Sequence, residues 1–191
     1  MYAFIRIVVL LVVRMVFVFR FKVIGKGNLP ANGTYLLVCN HRSNMDPVFV
    51  GVSMPRQIGF LGKIELARVP LFGRLVQKLG MIPIDRNNSI SRGKAAIVVS
   101  NELVAGKPML VFPEGHRSRT AGLLPFDEGY LSIASRANVP IVPCAIRRSC
   151  GRVSVLFGRS IEAPSKNNRT ETAQLVITAI QNMLSEKGEV N

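Results

Sequence analysis

Short apolar runs alternate with stretches of helical spacing along this chain, and that alternation limits the fold more than any other feature. Strands are expected at 22–25, 34–38, 57–62, 81–84, 109–112, 141–146 and 153–157. Helices are expected at 47–53, 71–79, 89–104, 129–137 and 168–186. In the last, Asn168 with Glu171 three residues on resembles a capping box, and Val176, Ile180 and Met183 follow at helical spacing. Strands interleaved with helices in this way make an α/β fold: a mainly parallel mixed sheet flanked by helices. The 191 residues show no internal repeat and no linker-like tract, so the chain reads as a single domain able to bury its own core.

Charge narrows the partners. Lys and Arg number 25 against 11 Asp and Glu, a net charge of +14. Such an excess implies an anionic partner: nucleic acid, an anionic membrane surface or a phosphorylated substrate. Residues 1–22, MYAFIRIVVLLVVRMVFVFRFK, favour the membrane. They are mostly apolar but carry Arg6, Arg14, Arg20 and Lys22. As a helix, residues 7–19 would cover about 20 Å, short of the roughly 30 Å hydrocarbon core. A segment of this kind lies in the interface or enters one leaflet, its basic side chains snorkelling outward. The competing use, a buried helix or strand, would have to bury three arginines and a lysine. The expected division is therefore a membrane-associating segment at 1–22 and a globular domain at 23–191, held peripherally on the cytoplasmic side of the cell membrane. A nucleic-acid partner is not expected: aromatics make up 7% of the chain, and the arginines are scattered among apolar runs. Cys39, Cys144 and Cys150 are an odd number without CxxC spacing, which indicates neither a disulfide framework nor a zinc site.

Chemistry in such folds collects on loops at strand ends, and two loops stand out. The first, CNHRSNMDP, follows the run TYLLV. Were residues 41–46 continuous helix, His41 and Asp46 would lie about 140° apart around its axis. Asp46-Pro47 is instead a helix start, with Asp as N-cap and Pro at the first helical position. Residues 40–45 are then a loop that can fold His41 back over Asp46. A carboxylate on an imidazole fixes one tautomer, raises its basicity and leaves the other ring nitrogen to deprotonate a hydroxyl. The same residues have a plainer use, Asp46 capping a helix and His41 satisfying a backbone group, and spacing alone favours it. A metal is not expected, because His41 and His116 are the only histidines and no H-x-x-x-H accompanies them.

The second loop, FPEGHRS at 112–118, places a carboxylate, a glycine and a cation at the end of the run PMLVF. Gly115 lets the backbone approach a ligand, Arg117 offers a fork of donors to a phosphate, and Glu114 can accept from a polyol hydroxyl. A solvated polar loop is the alternative. A third stretch, GMIPIDR at 80–86, is an apolar strand closing on Arg86.

Together these residues resemble the glycerolipid acyltransferase family, which includes the 1-acylglycerol-3-phosphate acyltransferases, over roughly residues 23–160. Its N-H-x-x-x-x-D motif, with serine two after the histidine, is met by Asn40, His41, Ser43 and Asp46. Its glycine-to-arginine motif is met by residues 80–86, and its F-P-E-G-x-R-S motif by residues 112–118. Its apolar run with two prolines is met by VPIVP at 139–143. The chain departs from the family at His116, where threonine is usual, and at Asp127-Glu128, where lysines are common.

The resemblance implies transfer of a fatty acyl group from a thioester to the free hydroxyl of a lysophospholipid. For lysophosphatidic acid the product is phosphatidic acid. His41 would be the general base, oriented by Asp46. Asn40 and Ser43 would belong to the substrate site, Glu114 and Gly115 would shape the glycerol subsite, and Lys63, Arg86 and Arg117 would hold the acceptor phosphate. The donor would be acyl-CoA or acyl carrier protein, acting as co-substrate with no further cofactor. Another lysophospholipid or lyso-aminolipid acceptor fits the same catalytic residues.

Overall fold

Leu36–Cys39 (β2) is apolar at every position, so it is stable only where both of its faces and both of its edges are covered. The computed structural model, which describes residues 7–8, 11, 21–85, 88–118, 122–149, 151–165 and 167–185, puts this strand at the centre of a seven-stranded sheet. The other strands are Phe21–Ile24 (β1), Gly59–Lys63 (β3), Met81–Ile84 (β4), Met109–Val111 (β5), Ile141–Ser149 (β6) and Arg152–Phe157 (β7). Their spatial order is β1-β7-β6-β2-β5-β3-β4. Among these strands only β6 and β7 pair antiparallel, so the mainly parallel mixed sheet expected from the sequence is the one found.

Side chains alternate across this sheet, and each set finds its own helices. Leu36, Val38, Met109, Val111, Ile141 and Ala145 face a core shared with three helices: Ser89–Val104 (α4), Gly129–Ala137 (α5) and Arg169–Ser185 (α6). Leu37, Cys39, Leu110, Val142, Cys144 and Ile146 face the opposite core, closed by Phe49, Val50 and Met54 on and beside helix Asp46–Ser53 (α1). Two short helices, Ile64–Arg68 (α2) and Phe72–Lys78 (α3), follow β3 directly. Asn88 caps α4, its side-chain oxygen accepting from the N–H groups of Ile90 and Ser91. Parallel strands end on one edge of the sheet, so the loops after β2, β3, β4 and β5 share that edge.

The structure departs from the sequence expectations at element ends. Phe21 and Lys22, allotted to the N-terminal segment, begin β1, with Phe21 beside Val153 and Lys22 beside Ser154. Of the remainder of that segment, Ile7, Val8 and Leu11 are helical and exposed, and the other residues lie outside the described set. No helix among the described residues is long and apolar enough to cross a membrane. Strand β6 runs three residues past its apolar part, because Arg147, Arg148 and Ser149 pair with Ser154, Val153 and Arg152 of β7 across a turn with Gly151 at φ 72°. Backbone ladder bonds need no apolar side chains. The Asn168 side-chain oxygen accepts from Ser165 N–H and Oγ at 2.7 and 3.0 Å, reaching back from the start of α6.

Candidate active site

The end of β2 leaves a backbone problem whose solution begins the site. Ile146 on β6 turns its N–H and C=O toward β2, but β2 stops at Cys39. The Asn40 side chain fills the gap: its oxygen accepts from Ile146 N–H at 2.7 Å and its amide donates to Ile146 C=O at 3.2 Å. Fully buried, Asn40 ties the start of the histidine loop to the sheet instead of facing a ligand.

His41 is held on three sides. Its backbone N–H donates to Glu114 Oε1 at 2.7 Å, and its C=O accepts from Ser118 N–H at 2.8 Å, so the loop after β5 grips both of its main-chain groups. Its ring stacks on Phe112, 4.2 Å between centroids at 25°. Its Nδ1 lies 3.0 Å from Asp46 Oδ2. The N–H groups of Arg42 and Ser43 donate to that same oxygen at 2.6 and 2.7 Å. Two backbone N–H groups already make Oδ2 an acceptor, which favours the tautomer in which Nδ1–H donates to it and Nε2 holds the lone pair. The Asp46 side chain is wholly buried, while 9% of the His41 side chain remains open.

The loop folds His41 over Asp46 as the sequence suggested, but by a different device. The first helical residue is Asp46 itself, and the residue before it, Met45, makes no side-chain cap. The Asp46 carboxylate reaches back to residues 41–43, closing the loop like a clasp. Ser43 Oγ accepts from Met45 N–H at 3.2 Å, which completes the turn.

Glu114 is also more committed than expected. Buried, it accepts from His41 N–H through one oxygen and from Leu124 N–H through the other, at 3.0 Å. It therefore cross-braces three segments. Gly115 sits exposed at φ 70°, and a side chain there would meet nothing within 4 Å, so the glycine answers a backbone need beside open space. His116 and Arg117 are exposed on the same loop. Lys63, the last residue of β3, is exposed on the same sheet edge. Arg86 lies outside the described residues. The two acids at 127–128 have local work: Asp127 accepts from Gly129 N–H at 2.8 Å, at the start of α5, and Glu128 pairs with Arg169 of α6 at 3.6 Å.

Sequence reasoning missed Arg148. Its guanidinium lies 3.4 Å from Asp46 Oδ1, the oxygen that His41 leaves free, and 5.5 Å over the Phe49 ring. Nothing local in the sequence marks it. Only the extension of β6 past Ile146 brings it over α1. Just behind the dyad, burial pushes the Cys39 thiol well above its ordinary range, and the adjacent Cys144 thiol and the charges of Asp46 and Glu114 push the same way.

A buried acid–imidazole pair in a loop braced by a second carboxylate, at the carboxyl ends of parallel strands, is an arrangement suited to proton transfer. The acyltransferase family profile matches residues 20–147, which contain His41, Asp46 and Glu114 and stop one residue short of Arg148. The chain belongs to the acyltransferase family.

Among acyltransferases, it is similar to the 1-acyl-sn-glycerol-3-phosphate acyltransferase of Escherichia coli, 34% identical over 124 residues, or 64% of this chain and 51% of that protein. It resembles the enzyme of the same name from Bacillus subtilis at 32% identity, over 65% of this chain and 61% of that one. The yeast Saccharomyces cerevisiae protein of that name is 32% identical over 72% of this chain and 46% of its own. The chain spans about half the length of the curated relatives it matches. Among solved structures, the 1-acyl-sn-glycerophosphate (LPA) acyltransferase PlsC of Thermotoga maritima superposes with a TM-score of 0.76 over 98% of this chain and 83% of that one. At 20% identity, that likeness is one of fold.

Proposed function

We propose that this acyltransferase moves a fatty acyl group from an acyl thioester to the free hydroxyl of 1-acyl-sn-glycerol-3-phosphate, giving phosphatidic acid. The observation that carries the reading is the His41–Asp46 pair, with Nδ1 3.0 Å from Oδ2; a ring that donates from Nδ1 to the carboxylate keeps Nε2 as its accepting nitrogen. The hydroxyl gives its proton to Nε2 as its oxygen attacks the thioester carbonyl. The C–S bond then breaks, and the leaving sulfur recovers that proton from the imidazolium. Asp46 holds the ring and offsets the positive charge it carries between the two steps. A thioester is already activated, so the chain needs no covalent intermediate of its own. The names of the curated relatives support the acceptor.

General-base help contributes about 10²–10⁴-fold. Holding the two substrates in register contributes more, up to roughly 7–11 kcal/mol of the barrier. Lys63, Arg86 and Arg117 serve that second need by holding the acceptor phosphate, and acyl-CoA or acyl carrier protein is the donor. The enzyme works at a membrane surface, peripherally on the cytoplasmic side, where lysophospholipid resides; residues 1–22 and the net charge of +14 support this.

The test is release of free thiol from acyl-CoA and from acyl carrier protein, with lysophosphatidic acid beside a panel of other lysolipids. His41→Ala should lower kcat by about 10²–10⁴-fold while circular dichroism and vesicle binding stay unchanged. Near-native turnover by that variant would end the mechanism. Turnover only with a different lysolipid would keep the mechanism and replace the acceptor.

A further inference from the structure

Directly after β3 the chain builds a helical hairpin whose outer side is left uncovered by the described residues. Residues 63–78 contain one buried residue, Gly73, where a side chain would overlap the carbonyl oxygen of Ala67, so α2 and α3 close tightly on each other. Leu66, Val69, Leu71, Phe72 and Leu75 are all exposed. Leu71, at the tip, is 82% exposed. It also has φ 61° and ψ −52°, with Phe72 N–H donating to Pro70 C=O at 2.6 Å, a tight γ-turn of the rare positive-φ kind. Strain of this sort persists where surrounding structure and use maintain it. Here it holds the bulkiest stretch of the tip, Leu71 and Phe72, away from the protein.

We infer that the α2–α3 hairpin is a membrane-docking element whose Val69–Leu71–Phe72 tip enters the interface of an anionic phospholipid bilayer. This rests on the membrane-surface reading above and adds a second point of contact to residues 1–22. Charge selects the occupant. Lys63, Arg68, Arg74 and Lys78 are all exposed along the hairpin, with Glu65 as the single acid between them, and they suit lipid phosphates. A second copy docking face to face would set those four cations against their own images. Exposed apolar side chains interspersed with exposed basic ones are the pattern of interfacial binding, whereas nucleic acid would leave the apolar ones in water. The hairpin also stands on the sheet edge that carries His41. A bilayer held there would lie beside the site, so a lysolipid would have to rise only part way out of its leaflet.

The chain has no tryptophan, so a single substitution reports its own surroundings. In the full-length protein, Leu71→Trp should show blue-shifted emission on adding vesicles of phosphatidylcholine and phosphatidylglycerol in equal parts, and quenching when the acyl chains are brominated. Leu175→Trp, on the exposed face of α6, should show neither. Arg68→Gln with Arg74→Gln should weaken binding to those vesicles about 30-fold, roughly fivefold per charge, with far less effect on pure phosphatidylcholine. If the Leu71→Trp variant bound vesicles with no change in its emission, the hairpin would be overturned while the N-terminal segment was spared. Protein that binds no vesicles would overturn both. A blue shift produced by concentrating the protein alone would assign the patch to a second copy. No donor or acceptor is needed, so the result is independent of acyl transfer.

Discussion

Glu114→Gln separates two roles that this acid could have, contact with the acceptor's glycerol and bracing of the His41 loop. In the structure both carboxylate oxygens are occupied by backbone donors, His41 N–H at 2.7 Å and Leu124 N–H at 3.0 Å. Glutamine keeps one oxygen, and its NH₂ then faces an N–H. One hydrogen bond to a charged group is lost and a buried donor left unpaired, a cost of about 2 kcal/mol. For a chain of this length that lowers Tm by roughly 4–8 °C. The same loss releases one side of His41. A misplacement approaching 1 Å lowers the chemical step by up to about 10²-fold. The expected result is therefore a lower Tm and a kcat reduced by about 10–100-fold, with KM for lysophosphatidic acid within about twofold of wild type. Calorimetry and thiol-release kinetics at saturating donor measure these. An unchanged Tm and kcat with a KM raised tenfold or more would show that Glu114 touches substrate, and the bracing role would be wrong.

Other residues give sharper or weaker effects for stated reasons. Asn40→Ala strips Ile146 of both its partners in a fully buried place and should cost about 2–4 kcal/mol, read as a lower urea midpoint with unchanged slope; a midpoint within error of wild type would contradict the pairing. Arg148→Ala removes an ion pair whose guanidinium is 40% exposed, so screening limits the loss to under about 1 kcal/mol and Tm should fall by no more than roughly 2–4 °C. A much larger fall would mean that the pair is shielded from water. Cys39, buried and with its thiol held in the protonated form, should resist alkylation at pH 8 until urea unfolds the chain. Peptide mapping that found it modified in native buffer would refute that packing.

The sheet was legible because each of its strands has an apolar run with helical sequence on one or both sides, and apart from the far end of β6 those runs lie within a residue or two of the observed strands. The helix α4 was read to the residue because its start, Asn88-Ser89, and its apolar spacing agree. What escaped was anything set by partners distant in the chain. The polar end of β6, with Arg148, is strand only because β7 pairs with it. Helix α2 has five residues, too few for periodicity to speak. At the site, motif matching found His41, Asp46 and Glu114, but not their geometry. That Asp46 clasps its own loop, and that Glu114 is spent on two backbone groups, follows from turns and contacts that no spacing encodes.

The threads that hold the histidine loop also fix when it can form. Asn40 waits for Ile146, which is 106 residues further along the chain. Strand β2 likewise waits for β5 and β6 on either side of it. On a ribosome adding roughly 5–20 residues per second, about 5–20 s separate the making of Asn40 from the making of its partner. A nascent chain stalled in its middle third thus holds His41 and Asp46 without the strand that anchors their loop.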